Sequence, residues 1–292
     1  MLKNTCVYIL FFLCLCILSC KDNTKSTNNT SIATVNATNK IVITNETYKN
    51  GYNQLPNDDA GKIIRDAIQY AGGWDKWLSK KGLTFFKTVN YYDSLGKMTK
   101  SSRSLQEINL FPSFKSKASW AENGKQIVVL NNGQQAWRIE DGQIMTDEKS
   151  KNSAWNSSFG THYVTCMPFK LADPGAHFSS EGLIKLPNGK EALSINVTYE
   201  DWAGSSGRFH KWKYFFDPKT HQLVAYFLNH GKGYSFTEYV SDTLVEGIRY
   251  AVGRNSYDTD ATLSFIKLKE AYRNDSMRLV DVFPDAKFEA TN

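Results

Sequence analysis

Gly207-Arg208-Phe209-His210-Lys211-Trp212-Lys213-Tyr214-Phe215-Phe216-Asp217 alternates with a period of two. Successive side chains of a strand leave opposite faces, so Arg208, His210, Trp212, Tyr214 and Phe216 point one way and Phe209, Lys211, Lys213 and Phe215 the other. One face is mostly aromatic and the other amphipathic, as on the wall of a curved sheet. Outward from this stretch, period-two runs begin near Gly82 and are punctuated by Ser94-Leu95-Gly96, Asn123-Gly124, Asn132-Gly133, Asp141-Gly142, Asn188-Gly189, Asp217-Pro218 and Gly231-Lys232-Gly233. Asn-Gly and Asp-Gly supply the positive φ angles of two-residue hairpins, so consecutive strands are expected to be antiparallel neighbours in a meander. Thr99, Ser101 and Arg103 alternate with Lys100, Ser102 and Ser104, polar on both sides, which predicts an exposed hairpin arm. The expected fold class is α+β, mainly antiparallel β: a curved half-open β-barrel of about 11–12 meandering strands.

Two helical stretches interrupt the alternation. Asn57 or Asp58 can cap a helix in which Ile63, Ile64, Ala67, Ile68 and Ala71 recur at helical spacing, and Gly72-Gly73 ends it. Trp74, Trp77 and Leu78 follow on a second short turn, an apolar face suited to plugging a sheet. Between Lys151 and Pro174, Ser153, Trp155, Phe159, Tyr163, Met167 and Leu171 are spaced closer to a helical than a strand period. Pro168 and Pro174 bend or end such a segment, so broken helix or a long loop is expected to cross the sheet as a lid. Strands resume near His177 and run to about Lys269, and Ser276 to Phe283 reads as a closing helical turn.

The chain opens with Lys3 and an apolar run from Val7 to Leu18, too short to span a bilayer and therefore read as a secretory leader. Ile17-Leu18-Ser19-Cys20 resembles the lipobox of bacterial lipoproteins. That resemblance implies diacylation of the Cys20 thiol, cleavage before Cys20 and acylation of the new amine. Several acyl chains at about 0.8 kcal/mol per buried CH₂ hold far more firmly than one. Removing residues 1–19 takes one Lys and no acid, so the formal charge falls from +6 to +5, and no Lys/Arg cluster points to nucleic acid. Cys6, Cys14 and Cys16 leave with the leader, Cys20 is the anchor, and Cys166 alone remains, so the mature chain has no pair for an internal disulfide. Lys21 to about Gly51 is Asn/Thr/Ser-rich, a solvated tether with a reach of roughly 30 Å. Within it, Ile41-Val42-Ile43 is expected to add an edge strand. The expected organisation is a leader at 1–19, the lipidated Cys20 and tether at 20–54, and a single half-barrel domain at 55–292. Lys21 stands where the inner-membrane retention signal of enterobacterial lipoproteins has Asp, so the expected location is the cell envelope, lipid-anchored to the outer membrane.

The order of elements, with Phe216-Asp217-Pro218…Leu223 and Gly247…Tyr250, resembles the lipoprotein-carrier (LolA/LolB-like) fold over about residues 58–290. In that superfamily an incompletely closed antiparallel barrel is lidded by helices and the cavity between holds acyl chains. Gly72-Gly73…Trp77 and His162-Tyr163…Pro168-Phe169…Leu171 are similar to an uncharacterised group of Bacteroidota lipoproteins.

GxSxG, HExxH, CxxC, a P-loop and a complete GxGxxG are absent, which removes the commonest signalled hydrolase, zinc-protease, redox and nucleotide chemistries. No catalytic residue, metal ligand or cofactor is assigned. His162 and Cys166, with His177 and His210 more distant, form a weak metal-like pattern, and Asp201, Glu200 and Glu238 a weak carboxylate one. Asp93-Ser94-Leu95, Asp242-Thr243-Leu244 and Asp275-Ser276-Met277 resemble the O-glycosylation signal of Bacteroidota exported proteins, making Ser94, Thr243 and Ser276 candidates, all in predicted turns. The leading expectation is a non-enzymatic, membrane-anchored lipoprotein holding a lipid or other apolar ligand. Its half-barrel cavity is lined by Trp137, His162, Tyr163, Trp212, Tyr214, Phe216, Tyr234 and Phe236. Two alternatives stand beside it. One is a structural or interaction lipoprotein whose aromatics fill the core; the other is a surface glycan-binding or glycan-cleaving protein using Trp155 or Trp202.

Overall fold

The computed structural model describes residues 45–110, 114–200, 203 and 210–291. The leader, Cys20, Ile41-Val42-Ile43, Asp201, Trp202, Arg208 and Phe209 lie outside the described residues. Among those described, no helix is long and apolar enough to cross a membrane.

A short helix α1 (Asn45–Asn50) leads to α2 (Asp59–Tyr70) and α3 (Trp74–Leu78). Asp58 caps α2 by accepting the Gly61 amide at 2.9 Å, and Ile63, Ile64, Ala67 and Ile68 are buried. Burying each large aliphatic side chain contributes about 1.5–3 kcal/mol, so this stripe fixes α2 to the sheet. The first run of strands is β1 (Gly82–Tyr92), β2 (Met98–Asn109), β3 (Lys115–Glu122), β4 (Lys125–Asn131), β5 (Ala136–Glu140) and β6 (Gln143–Ile144). Helix α4 (Glu148–Thr165) then crosses, and the second run is β7 (Ala176–Lys185), β8 (Glu191–Tyr199), β9 (Lys211–Phe216), β10 (Leu223–Asn229), β11 (Tyr234–Val245), β12 (Ile248–Thr259) and β13 (Ile266–Val280).

All thirteen strands join one antiparallel sheet in the order β6-β5-β4-β3-β2-β1-β13-β12-β11-β10-β9-β8-β7. Two meanders are thus welded where β13 returns to pair with β1, and the edges β6 and β7 stay apart, which leaves a half-open barrel. Asn123-Gly124 and Asp141-Gly142 take φ of +51°, +77°, +47° and +81°, the paired positive values of the tight hairpins read from the sequence. The β2 arm is exposed over its polar half, where Arg103 donates to both Asp275 oxygens at 2.6 and 2.8 Å.

Three details differ from expectation. The crossing segment is one continuous 18-residue helix, because Pro168 stands beyond its end and Asp147 caps its start through the Ser150 amide. The described residues form thirteen strands, the short β6 being too brief to signal itself. Residues 276–280 belong to β13 and not to a helical turn: a bulge opposite Phe85, with Ser276 at φ +54°, breaks the alternation there.

Candidate functional site

On β1 the side chains of Leu83, Phe85, Lys87, Val89 and Tyr91 alternate onto the concave face. Leu83 and Phe85 are buried core. Lys87, next in the row, donates from Nζ to Thr161 Oγ1 of α4 at 2.8 Å. Between them lies a cavity of about 170 Å³, lined by Lys87, Val89 and Tyr91 of β1, Ser104 and Gln106 of β2, Trp120 of β3, Val129 of β4, and Ser157, Ser158 and Thr161 of α4. The face that α4 turns to this cavity is therefore small and polar. Asn131 of β4 seats it by donating to Ser158 Oγ at 2.9 Å, both groups buried.

Across β13, Tyr272 pairs with Val89 on one side and with Arg254 of β12 on the other. The Lys87 ammonium lies 5.6 Å and the Arg254 guanidinium 5.0 Å from the centre of the same Tyr272 ring. Tyr272 donates its hydroxyl to Glu270. Arg254 is 3% exposed, and among the described residues neither cation has a carboxylate within ion-pair distance. Burial lowers the Lys87 pKa to about 8; Arg254 adds to the lowering and Glu270 opposes it. The interior thus carries two positive charges that its own acids leave unbridged.

A second groove, about 300 Å³, lies between α2 and β10–β12. Its charges are internally matched: Arg249 pairs with Asp242 at 2.9 Å, and Gln222 donates to the same carboxylate at 2.7 Å. Of these two, the α4 cavity is the one whose charge is unmatched among the described residues.

The residues singled out from the sequence divide between faces. Tyr163, Trp212, Tyr214 and Phe216 meet in the main core, each under 7% exposed, with Tyr163 5.9 Å from Trp212 and Trp212 stacked on Tyr214 at 5.7 Å. Among the described residues the Tyr163 hydroxyl and Nε1 of Trp212 are buried without hydrogen-bond partners. His162 stacks on Phe114 at 4.1 Å, and burial holds its pKa well below the ordinary value. Tyr234 and Phe236 do not join this wall. Asn229 pairs with Tyr234 and Phe227 with Phe236, so both take the opposite face, where Phe236 packs on Phe215 at 6.1 Å and Tyr234 on Phe227 at 5.6 Å. Trp137 lies apart, in a groove at the β5 edge with Trp155 and Lys151. Lys87, the cation that lines the cavity, and Arg254, which shares the Tyr272 ring with it, escaped sequence reasoning. Their signal is a charge inside an inward row, Leu83-Phe85-Lys87-Val89 and Ile248-Tyr250-Val252-Arg254.

Cys166 is fully buried and its thiol is pushed up to about 12, which removes it as a nucleophile at neutral pH. His177 pairs with Glu200 at 2.8 Å, His210 lies 5.6 Å from His230, and Glu238 accepts from Tyr257 and Asn188. Among the described residues no three metal-ligating side chains converge. Ser94 is exposed in the β1–β2 turn and Ser276 on the β13 bulge; Thr243 lies within β11, opposite Tyr250 of β12, and not in a turn.

Residues 53–275 match the model of a family described as a family of unknown function, DUF6503. No curated protein matches the chain by sequence. Among solved structures, a DUF1329 family protein from Desulfovibrio piger is 10% identical, with a TM-score of 0.50 over 80% of this chain and 98% of that one. A LolA superfamily protein from Nitrosomonas europaea is 11% identical, with a TM-score of 0.48 over 79% and 97%. At such identities the likeness to the first is one of fold.

Proposed function

The chain belongs to the DUF6503 family, whose function is unknown, and from that premise we propose that it is a lipid-anchored envelope protein binding a lipid or other apolar ligand in the half-barrel, beneath α4. The observation that carries this reading is a cavity on the concave face closed by a helix whose underside is Ser157, Ser158 and Thr161. Phe159 and Tyr163 hold one face of α4 in the core, whereas the face over the cavity is seated through hydroxyls, whose bonds can be exchanged for water when that face lifts. Lifting is needed, since 170 Å³ is below the roughly 300–1,000 Å³ of ordinary ligand pockets.

The anchor is Cys20, exposed by loss of residues 1–19, with 20–54 as tether and 55–292 as the binding domain. Acyl chains supply the membrane partner; nucleic acid has no place in this reading, and the role is binding and not catalysis. Ser94 and Ser276 remain the proposed positions for O-glycosylation, being exposed beside Asp93 and Asp275. A second reading, an interaction lipoprotein with a filled core, is favoured by the near-complete burial of Trp212, Tyr214 and Phe216.

Mass spectrometry of an organic extract separates the two. The mature chain, exported behind an ordinarily cleaved leader with C20A, should carry a stoichiometric lipid. A clean extract, with no uptake of added lipid, would leave the filled core as the answer.

A further inference from the structure

The geometry points to an anionic headgroup, a carboxylate or phosphate on an apolar chain, as the polar end of the ligand, held at Lys87 Nζ and the Thr161 hydroxyl with Arg254 supplying a second charge from behind Tyr272. This rests on the lipid-binding reading above and adds the chemical class of the ligand.

Four observations carry it. Lys87 lines the cavity and its donor group is directed across it, toward α4. Arg254 is almost wholly buried on the neighbouring inward row and shares the Tyr272 ring with Lys87. The one acid beside them, Glu270, is engaged by the Tyr272 hydroxyl and forms an ion pair with neither cation among the described residues. Tyr239, opposite Arg254 on β11, keeps a buried hydroxyl without a hydrogen-bond partner among the described residues. A buried and a partly buried cation left without a counter-charge are costly to the folded protein, and charges so perturbed cluster at functional sites. A neutral lipid would leave the cost standing, and a cationic one would add to it. Around the cavity the chemistry suits an amphiphile: Ser104, Gln106 and Ser157 offer polar contacts, while Val89, Val129 and Trp120 accept an aliphatic chain.

The test titrates the C20A mature chain at pH 7 with oleate, with oleyl alcohol, and with acetate and inorganic phosphate, following Trp fluorescence. Oleate should bind about tenfold or more tightly than the alcohol, the discrimination expected of a charge-assisted contact. Acetate and phosphate alone should bind far more weakly than oleate. In K87M the preference for oleate over the alcohol should vanish; R254M should reduce it partly, because that charge acts at a distance.

Should K87M fail to fold, wild type still decides. The charges facing the ammonium are Arg254 on β12 and Glu270 on β13, with the phenols Tyr91 and Tyr272 and the neutral Thr161 completing its surroundings. The preference should therefore decline as pH rises past about 8, where Lys87 loses its proton. Equal binding of oleate and oleyl alcohol, or a preference that survives K87M, overturns the headgroup assignment and leaves lipid binding intact. Inorganic phosphate binding as tightly as oleate overturns the lipid as the source of the anion. If neither amphiphile binds, the lipid-binding reading falls and this inference with it.

Discussion

Asn131 donates to Ser158 Oγ at 2.9 Å, a buried bond that joins the last residue of β4 to the middle of α4. The bond is embedded in a chain, since Asn131 Oδ1 accepts the Gly133 amide at 2.8 Å and Ser158 returns its own proton to the Ala154 carbonyl at 2.7 Å. Every polar atom of the Asn131 side chain thus has work within the fold, and the same contact sets how α4 covers the concave face.

N131A should cost about 1–3 kcal/mol, because it removes two bonds and takes from the buried Ser158 hydroxyl the donor it accepts from. N131D should cost more, placing a carboxylate where no cation of the described residues pairs with it. The urea midpoint gives the loss, and amide exchange should show α4 opening earlier than β1 or β13. Uniform exchange across the domain would mean that α4 does not move separately.

Gly72 approaches the β11–β12 hairpin so closely that a Cβ would stand 2.3 Å from the Gly247 carbonyl oxygen, and its φ is +127°. G72A should therefore destabilise by a few kcal/mol, through both strain and a backbone clash. G96A is the control. Gly96 also has positive φ, but nothing lies within 4 Å of its Cβ position, so strain alone should appear. Equal losses in the two variants would refute the close approach as the cause.

Gly72-Gly73 reads from the sequence as a helix stop, and so it is, but the reason for Gly72 is a contact with a residue 175 positions away that no local pattern carries. The same division runs through the molecule. The Asp58 cap, the two-residue hairpins at Asn123-Gly124 and Asp141-Gly142 and the aromatic row of β9 are local and legible, whereas Asn132-Gly133 and Asn188-Gly189 sit in longer loops in which only the glycine takes positive φ. Which face Tyr234 and Phe236 take depends on register across the Gly231-Lys232-Gly233 turn, which alternation inside one strand does not determine. Lys87 and Arg254 each break an inward apolar row, yet their meeting at Tyr272 depends on β13 returning to β1, a pairing that links the two ends of the domain.

Trp77 and Phe169 stack with centroids 4.5 Å apart and planes 7° from parallel, clamping α3 to the turn that follows α4. F169A should cost about 3–5 kcal/mol as a cavity in a filled region, with an unchanged denaturant slope. F169L keeps much of the volume and should lose less than half of that. A loss under 1 kcal/mol for F169A would show this part of the core to be loosely packed, against its full burial.

Lys87 gives the prediction that separates a ligand-directed charge from a structural one. Its folded pKa is about 8, below the 10.5 of an unperturbed lysine, because burial and Arg254 disfavour the ammonium. Between those two values the unfolded chain holds a proton that the folded chain has released, so this residue makes stability rise with pH through that window. Below pH 8 the folded protein carries the full cost of a partly buried cation. K87M should therefore be more stable than wild type at pH 7, by on the order of 1–2 kcal/mol once the lost bond to Thr161 is set against the relieved charge. The difference should shrink as pH climbs from 8 toward 10.5, where wild type is neutral as well. Paired urea unfolding curves at pH 7, 8, 9 and 10 measure it directly. A K87M protein less stable than wild type by a constant amount at every pH would show that Lys87 holds α4 in place through Thr161 and has no unmet charge to offer a ligand.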